Sequence, residues 1–223
     1  MGEQLLQLFF SGLTIGSIYS LIGLTLVITY QVTGILNLAQ GEFVVLGALL
    51  AVSLSAMGIP MLPAFVLAIL IVALLGGLLE RLAIDKARGA SGITMLIITI
   101  GISISLRGLA LLIWGTETYS LPSFTQSGPL IIGSEQMRAA LNPQSIWIFA
   151  LAVLTLAGVS LFFKKTYWGK AVKAAVHTPA GARLQGINLR TISLLAFISA
   201  GALGAAAGIF ISPVTMVTYD MGF

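Results

Sequence analysis
The chain has 223 residues, 58% of them hydrophobic and only 8% charged, with 11 Lys and Arg against 7 Asp and Glu. Soluble domains run at about 45 to 50% apolar and about 25% charged, so a water-soluble globular domain is excluded. The absence of cysteine excludes a disulfide framework, a thiolate metal site and a thiol nucleophile.

The first element starts at "MGEQLLQLFF", which has no Lys or Arg, and its apolar run continues to about Tyr30. A signal-peptide core is about 7 to 15 residues, so this is a retained first helix. Further apolar blocks at 43–57, 62–83, 92–114, 145–163 and 191–212 bring the expected crossings to six or more, each close to the roughly 17 to 25 residues that span a bilayer core. The fold class is therefore an all-α, polytopic transmembrane helical bundle, with residues 1–223 as a single membrane domain.

Between the first two blocks lies "GILNLAQGEFVVLG", residues 34–47, with Asn37, Gln40 and Glu42 close together. It predicts a broken or re-entrant helix near 31–43. Glu42 at the start of a helix suits the positive dipole end there, so by its residues alone the stretch reads as a polar cap. "MGIP", with Gly58 and Pro60, marks a tight turn that makes the second and third blocks antiparallel neighbours. Arg107 lies within the fourth block. An ionisable residue there is a functional candidate by default, against a snorkelling or structurally paired arginine.

Basic residues gather in "ERLAIDKARGASG" and in residues 164–190, whereas Glu117, Glu135 and Arg138 share the segment 115–144 with Pro, Ser and Gly. By the positive-inside rule the two basic loops are cytoplasmic and 115–144 is external, which puts the N-terminus outside. The basic excess is thus a topology signal and no nucleic acid partner is expected. In the inner loop Thr178 and Pro179 form a helix start and Gly186 a helix stop. This gives a short helix at about 179–185 whose alanines, with Ala174 and Ala175, present a smooth knob for a partner's groove; contact with anionic lipid is the alternative. His177 reads as a solvated loop residue. Gly169-Lys170 has Lys164 and Ala171 where a phosphate loop needs Gly and Ser or Thr, so no nucleotide site is present. Gly12 and Gly16, and again Gly204 and Gly208, are one helical turn apart, which predicts close packing of two interior helices or a small-residue wall along a pathway.

Four blocks, "GLTIGSIYSLIGLTLVITYQVTGILNLAQGEFVVLGA", "ERLAI", "ITMLIITIGISISLRGLALLIWG" and "GKAVKAAVHTPAGARLQGIN", closely resemble the integral permease subunits of bacterial ABC importers for branched-chain amino acids. The resemblance covers essentially the whole chain, Asn37 to Glu42 is its most specific part, and it implies a gate or substrate contact there instead of a cap. It implies a permease without catalytic chemistry or a cofactor of its own, in the bacterial inner membrane. Its partners would be a second related permease subunit, two cytoplasmic ATPases that bind ATP and Mg, an external substrate-binding protein and the lipid bilayer. It also implies that 164–190 is the cytoplasmic coupling loop, with Gly169, Ala174, Ala175, Thr178, Pro179, Gly181, Ala182 and Gly186 as ATPase-docking residues. Tyr19, Asn37, Gln40, Glu42, Thr99 and Ser103 are pathway candidates, because a zwitterion needs its charges satisfied and broken helices do this in membranes. Importers of urea or short-chain amides share the motifs, and an ATP-independent secondary transporter or channel is the alternative of another class. Members of the family continue past "SPVTMVTYDMGF", so a C-terminally shortened chain is expected.

Overall fold
The computed structural model describes residues 2–125, 127–134 and 137–222. In order, its elements are α1 (Gly2–Thr33), α2 (Gln40–Ala56), α3 (Met61–Leu79), α4 (Gly92–Trp114), β1 (Leu130–Ser134), β2 (Met137–Leu141), α5 (Pro143–Lys165), α6 (Tyr167–His177), α7 (Pro179–Leu184) and α8 (Leu189–Ile211). A π-helical turn, Glu80–Ile84, prolongs α3. Five helices are long and apolar enough to cross a bilayer, and the chain is a multi-pass, all-α membrane protein.

The sixth apolar helix is shorter. α2 has 17 residues, about 25 Å at 1.5 Å per residue, which falls short of a core of about 30 Å. The non-helical stretch 34–39 precedes it, at the break expected near 31–43. Gly34 ends α1 with φ +68, and its N–H reaches the Tyr30 carbonyl at 2.8 Å, the left-handed cap that releases a chain from a helix. Thr33 Oγ1 reinforces the exit by donating to Thr29 O at 2.7 Å and accepting from Ile35 N at 3.1 Å.

The two ends of the bundle are chemically distinct. Arg190 at the start of α8 meets Asp85 at 3.4 Å, so the two basic connections lie at one end. At the other, Gln7 holds the Ala140 backbone through both its amide atoms, at 3.1 and 2.9 Å. The start of α1 therefore sits with the hairpin, β1 pairing antiparallel to β2 with Leu130 opposite Leu141. This hairpin was not foreseen; in the sequence the segment is only a loop. Glu135 lies outside the described residues, as does the side chain of Arg138.

α8 is the axis of the bundle, packing on α1, α2 and α3. Its small residues let backbones touch. A Cβ added at Gly208 would run into the Val44 carbonyl of α2, one at Gly201 into the Val72 carbonyl of α3, and one at Gly204 against Phe43 and the Gln40 amide. Gly47 and Gly76 reciprocate from α2 and α3, against Ala205 and the Phe197 carbonyl. In lipid, where apolar surface alone does not drive helices together, such van der Waals contact does.

Gly12 and Gly16 do not belong to this interior, contrary to expectation. Both are exposed, and nothing lies within 4 Å of a Cβ added at either. The buried stripe of α1 is Ser17, Leu21, Thr25, Ile28 and Thr29, and at about 100° per residue the two glycines fall on the opposite side of the helix. Among the described residues, none packs against this bare strip of α1.

Candidate functional site
The break between α1 and α2 gathers the buried polar side chains of Asn37, Gln40, Glu42, Thr99 and Ser103. Asn37 Oδ1 accepts from Ala39 N at 3.2 Å and so turns the chain into α2, while its Nδ2 faces Gln40 Oε1 at 3.5 Å. Gln40 Nε2 then donates to the Ala200 carbonyl of α8 at 3.0 Å. From α4, Thr99 Oγ1 donates to the Leu36 carbonyl at 3.3 Å, which ties a backbone group of the non-helical stretch. Buried carbonyls need such partners wherever water is excluded.

Glu42 carries the charge of this cluster and is only 1% exposed. Its Oε1 accepts from Ser103 Oγ at 2.9 Å and from Arg107 Nη2 at 3.0 Å, both on α4. The three residues are spaced so that one face of α4 delivers them: Thr99, Ser103 and Arg107 follow at one helical turn each. Arg107 keeps 31% of its side chain exposed, so the pair is buried on the acid's side only. Glu42 does lie in the first turn of α2, yet its carboxylate is spent across the bundle, and the cap interpretation understates it. Removing one partner from a buried pair typically costs about 3 to 5 kcal/mol, because the other charge is left unmatched.

The segment after α8 closes over this site. Val217 and Tyr119 exchange backbone bonds at 2.7 and 2.9 Å, and Gly222 rests on Glu42, where an added Cβ would lie 2.7 Å from Oε2. A cavity of about 510 Å³ opens beside it, walled by Tyr19, Ile22, Gly41, Val45, Gly208 and Gly222. Tyr19 is 70% exposed on the far wall, so it is not brought into the polar cluster with Asn37, Gln40, Glu42, Thr99 and Ser103.

At the basic end, residues 164–190 form α6 and α7 as two short helices. Thr166 caps α6, its Oγ1 accepting from Gly169 N at 2.9 Å. Gly169 permits the fold of α6 against α5, because an added Cβ would meet the Phe162 carbonyl and Phe163. Thr178 precedes α7 but makes no side-chain cap; its carbonyl accepts from Ala182 N at 2.9 Å. Gly186 ends the turn with φ +78. The alanines divide: Ala174 and Ala180 are exposed, whereas Ala175 and Ala182 are buried with Ile192 inside the chain. The latter two cannot serve as a surface for a partner. Gly181 is half-buried, and Leu184, 91% exposed, is the apolar side chain that α7 offers outward.

The family described as "Branched-chain amino acid transport system / permease component" matches residues 8–223. The chain belongs to this family. The permease is 31% identical over 216 residues to the high-affinity branched-chain amino acid transport system permease protein BraD of Pseudomonas aeruginosa, covering 92% of this chain and 70% of that protein. It is 30% identical over 224 residues to LivH of Escherichia coli K12, covering 95% and 72%. A probable LivH of Methanocaldococcus jannaschii is 27% identical over 201 residues, covering 84% and 60%. No solved structure matches.

Sequence reasoning missed the pairing within this permease. The sequence marks Arg107 as a snorkelling, paired or substrate-contacting arginine and Glu42 as a cap or pathway residue, but it does not name them as each other's partners. Charge balance in a low-dielectric interior was the available signal. The glycines at 47, 76 and 201 were missed as well, because a contact between helices leaves no spacing pattern in either one alone.

Proposed function
We propose that the chain is the permease subunit of an ATP-binding cassette importer in the bacterial inner membrane, and that it passes branched-chain amino acids inward by alternating access. ATP and Mg bind to two separate cytoplasmic ATPases. A second related permease completes the pathway, and an external binding protein delivers the substrate.

The observation that carries this proposal is the charged junction at the α1–α2 break. Glu42 offers a carboxylate and Arg107 a guanidinium, the two complements of an amino acid's ammonium and carboxylate, at a place where the helix is interrupted. A zwitterion can exchange into such a pair with charge conserved, whereas an uncharged solute gains nothing from it. Asn37, Gln40, Thr99 and Ser103 are buried around the junction and add polar groups to it, and Tyr19 stands on the wall of the neighbouring cavity. The exposed Leu184 on α7 supports docking of this segment into an apolar groove of an ATPase, with Gly169 and Gly186 fixing its shape. Movement of α7 reaches the site through α8, whose first residues follow it and whose Ala200 carbonyl holds Gln40.

The test is reconstitution of the assembled importer in liposomes, with its binding protein outside and ATP on the ATPase side. Leucine uptake that requires both is expected. Uptake driven by an ion gradient without the ATPases, or ATP-dependent uptake of urea but not leucine, overturns the assignment.

A further inference from the structure
A second cavity, of about 730 Å³, lies between the ends of α1, α5 and α8 nearest the basic loops, with α6 as its floor. Val159, Phe162, Trp168, Val172, Leu195 and Leu203 are among its walls. Two hydroxyls line it, and both are spent on their own helices: Thr155 Oγ1 donates to Leu151 and Ala152 at 2.7 and 3.0 Å, and Ser199 Oγ to Ala196 at 2.9 Å. No charged residue lines it. A zwitterion placed there would lose its water with no replacement, so this space is unsuited to the transported solute. It suits hydrocarbon.

Basic residues adjoin the wall segments along the chain. α5 ends with Phe162 and Phe163 on the cavity wall and then Lys164 and Lys165, both exposed. α6 is two-faced: Trp168 and Val172 line the cavity and Ala171 and Ala175 are buried, while Lys170 and Lys173 are exposed on its other side. An amphipathic helix of this kind lies in the interface plane, apolar face toward the acyl chains. The basic loops mark the leaflet rich in anionic lipid.

We propose that this cavity is a binding site for an anionic phospholipid, one acyl chain lying between α5 and α8 and the phosphate held by the lysines at the α5–α6 junction. Nothing in this assignment depends on the solute that the permease carries. The lipid ties α6, and with it the segment leading to α7, to the inner leaflet.

The test equilibrates the full chain in mixed micelles of equal phosphatidylglycerol and phosphatidylcholine and counts bound lipid by native mass spectrometry. One phosphatidylglycerol per chain is expected, preferred over phosphatidylcholine by about tenfold. Gly158→Trp should abolish retention, because Gly158 lines the cavity and nothing lies within 4 Å of an added Cβ, so the ring enters the space without a backbone clash. Leu154→Trp, at a position 69% exposed and absent from the cavity wall, should retain lipid. Replacing Lys164 and Lys165 by Gln should reduce the preference between headgroups. A quenching experiment needs no cavity-filling change: brominated phosphatidylglycerol should quench the emission lost in Trp168→Phe more strongly than brominated phosphatidylcholine. Equal retention of the two lipids, equal quenching, a Gly158→Trp chain that binds as the original does, or a lipid-free chain whose cavity is filled by a second copy overturns the proposal.

Discussion

Two glutamates of this chain are almost fully buried, each faces an arginine at 3.0 Å, and each stands where a helix loses its regular form. Glu80 opens the π-helical turn, and its partner Arg88 comes from the same connection, eight positions on. Arg88 also holds Asp85 at 2.9 Å, and Asp85 in turn meets the largely exposed Arg190. This network lies at the basic end of the bundle and runs from the buried Glu80 out to the exposed Arg190. Glu42, by contrast, depends on residues 61 and 65 positions away on α4, deep along the spans. The first pair closes a local turn. The second fixes two helices and a chain break relative to one another, so the same chemistry has a local consequence in one place and a global one in the other.

The largest effect should come from Arg107→Ala, which strands the Glu42 carboxylate. A loss of about 3 to 5 kcal/mol is expected, read as a fall in melting temperature in detergent, with partial recovery in the double variant Glu42→Gln/Arg107→Ala. Equal stability of the two single variants and the parent would remove the contrast. Next, Glu42→Gln by itself keeps an acceptor for Ser103 but discharges the pair. Insertion and assembly with the partner subunits should survive while leucine uptake falls by about tenfold or more; unchanged uptake would make the pair purely structural. Arg88→Ala should cost less, about 1.5 to 3 kcal/mol, the range for hydrogen bonds to charged groups, because it loosens one connection and leaves the helices in place; a cost equal to that of Arg107→Ala would erase the difference between the local and the long-range pair. The smallest change is expected for Arg190→Ala. Its side chain is 73% exposed, and such surface pairs are worth about 0 to 1 kcal/mol, diminishing with salt, which a melt at low and high ionic strength would record.

The local pair also shows what was legible in the chain. Helix positions followed hydropathy, and the break near residue 34 followed from a glycine and a run of polar side chains, since both signals are contained in a dozen consecutive residues. The same holds for the turn at Gly58 and for α7, started by Pro179 and stopped by Gly186. The face each helix turns inward was not legible. α1 and α8 carry the same small-residue spacing, yet Gly204 and Gly208 meet another backbone and Gly12 and Gly16 meet nothing. In water, the apolar side of a helix announces the core; in a bilayer both sides are apolar, and that signal is lost. Within the polar cluster, Asn37, Gln40, Glu42, Thr99 and Ser103 could be picked out as polar residues in oily surroundings. Their connection through Arg107 and the Ala200 carbonyl could not, because it depends on how α4 and α8 are placed.

The central position of α8 has a consequence for how the protein is made. Among the described spans it is the last to leave the ribosome, and α2 and α3 complete their contacts only when it arrives. Until then the grooves at Gly47 and Gly76 are open and Gln40 lacks the carbonyl it finally holds. α2 and α3 therefore enter the membrane before the helix that fills their glycine grooves is available. α8 thus completes contacts for helices made before it, and its glycines leave room for the neighbours already in place.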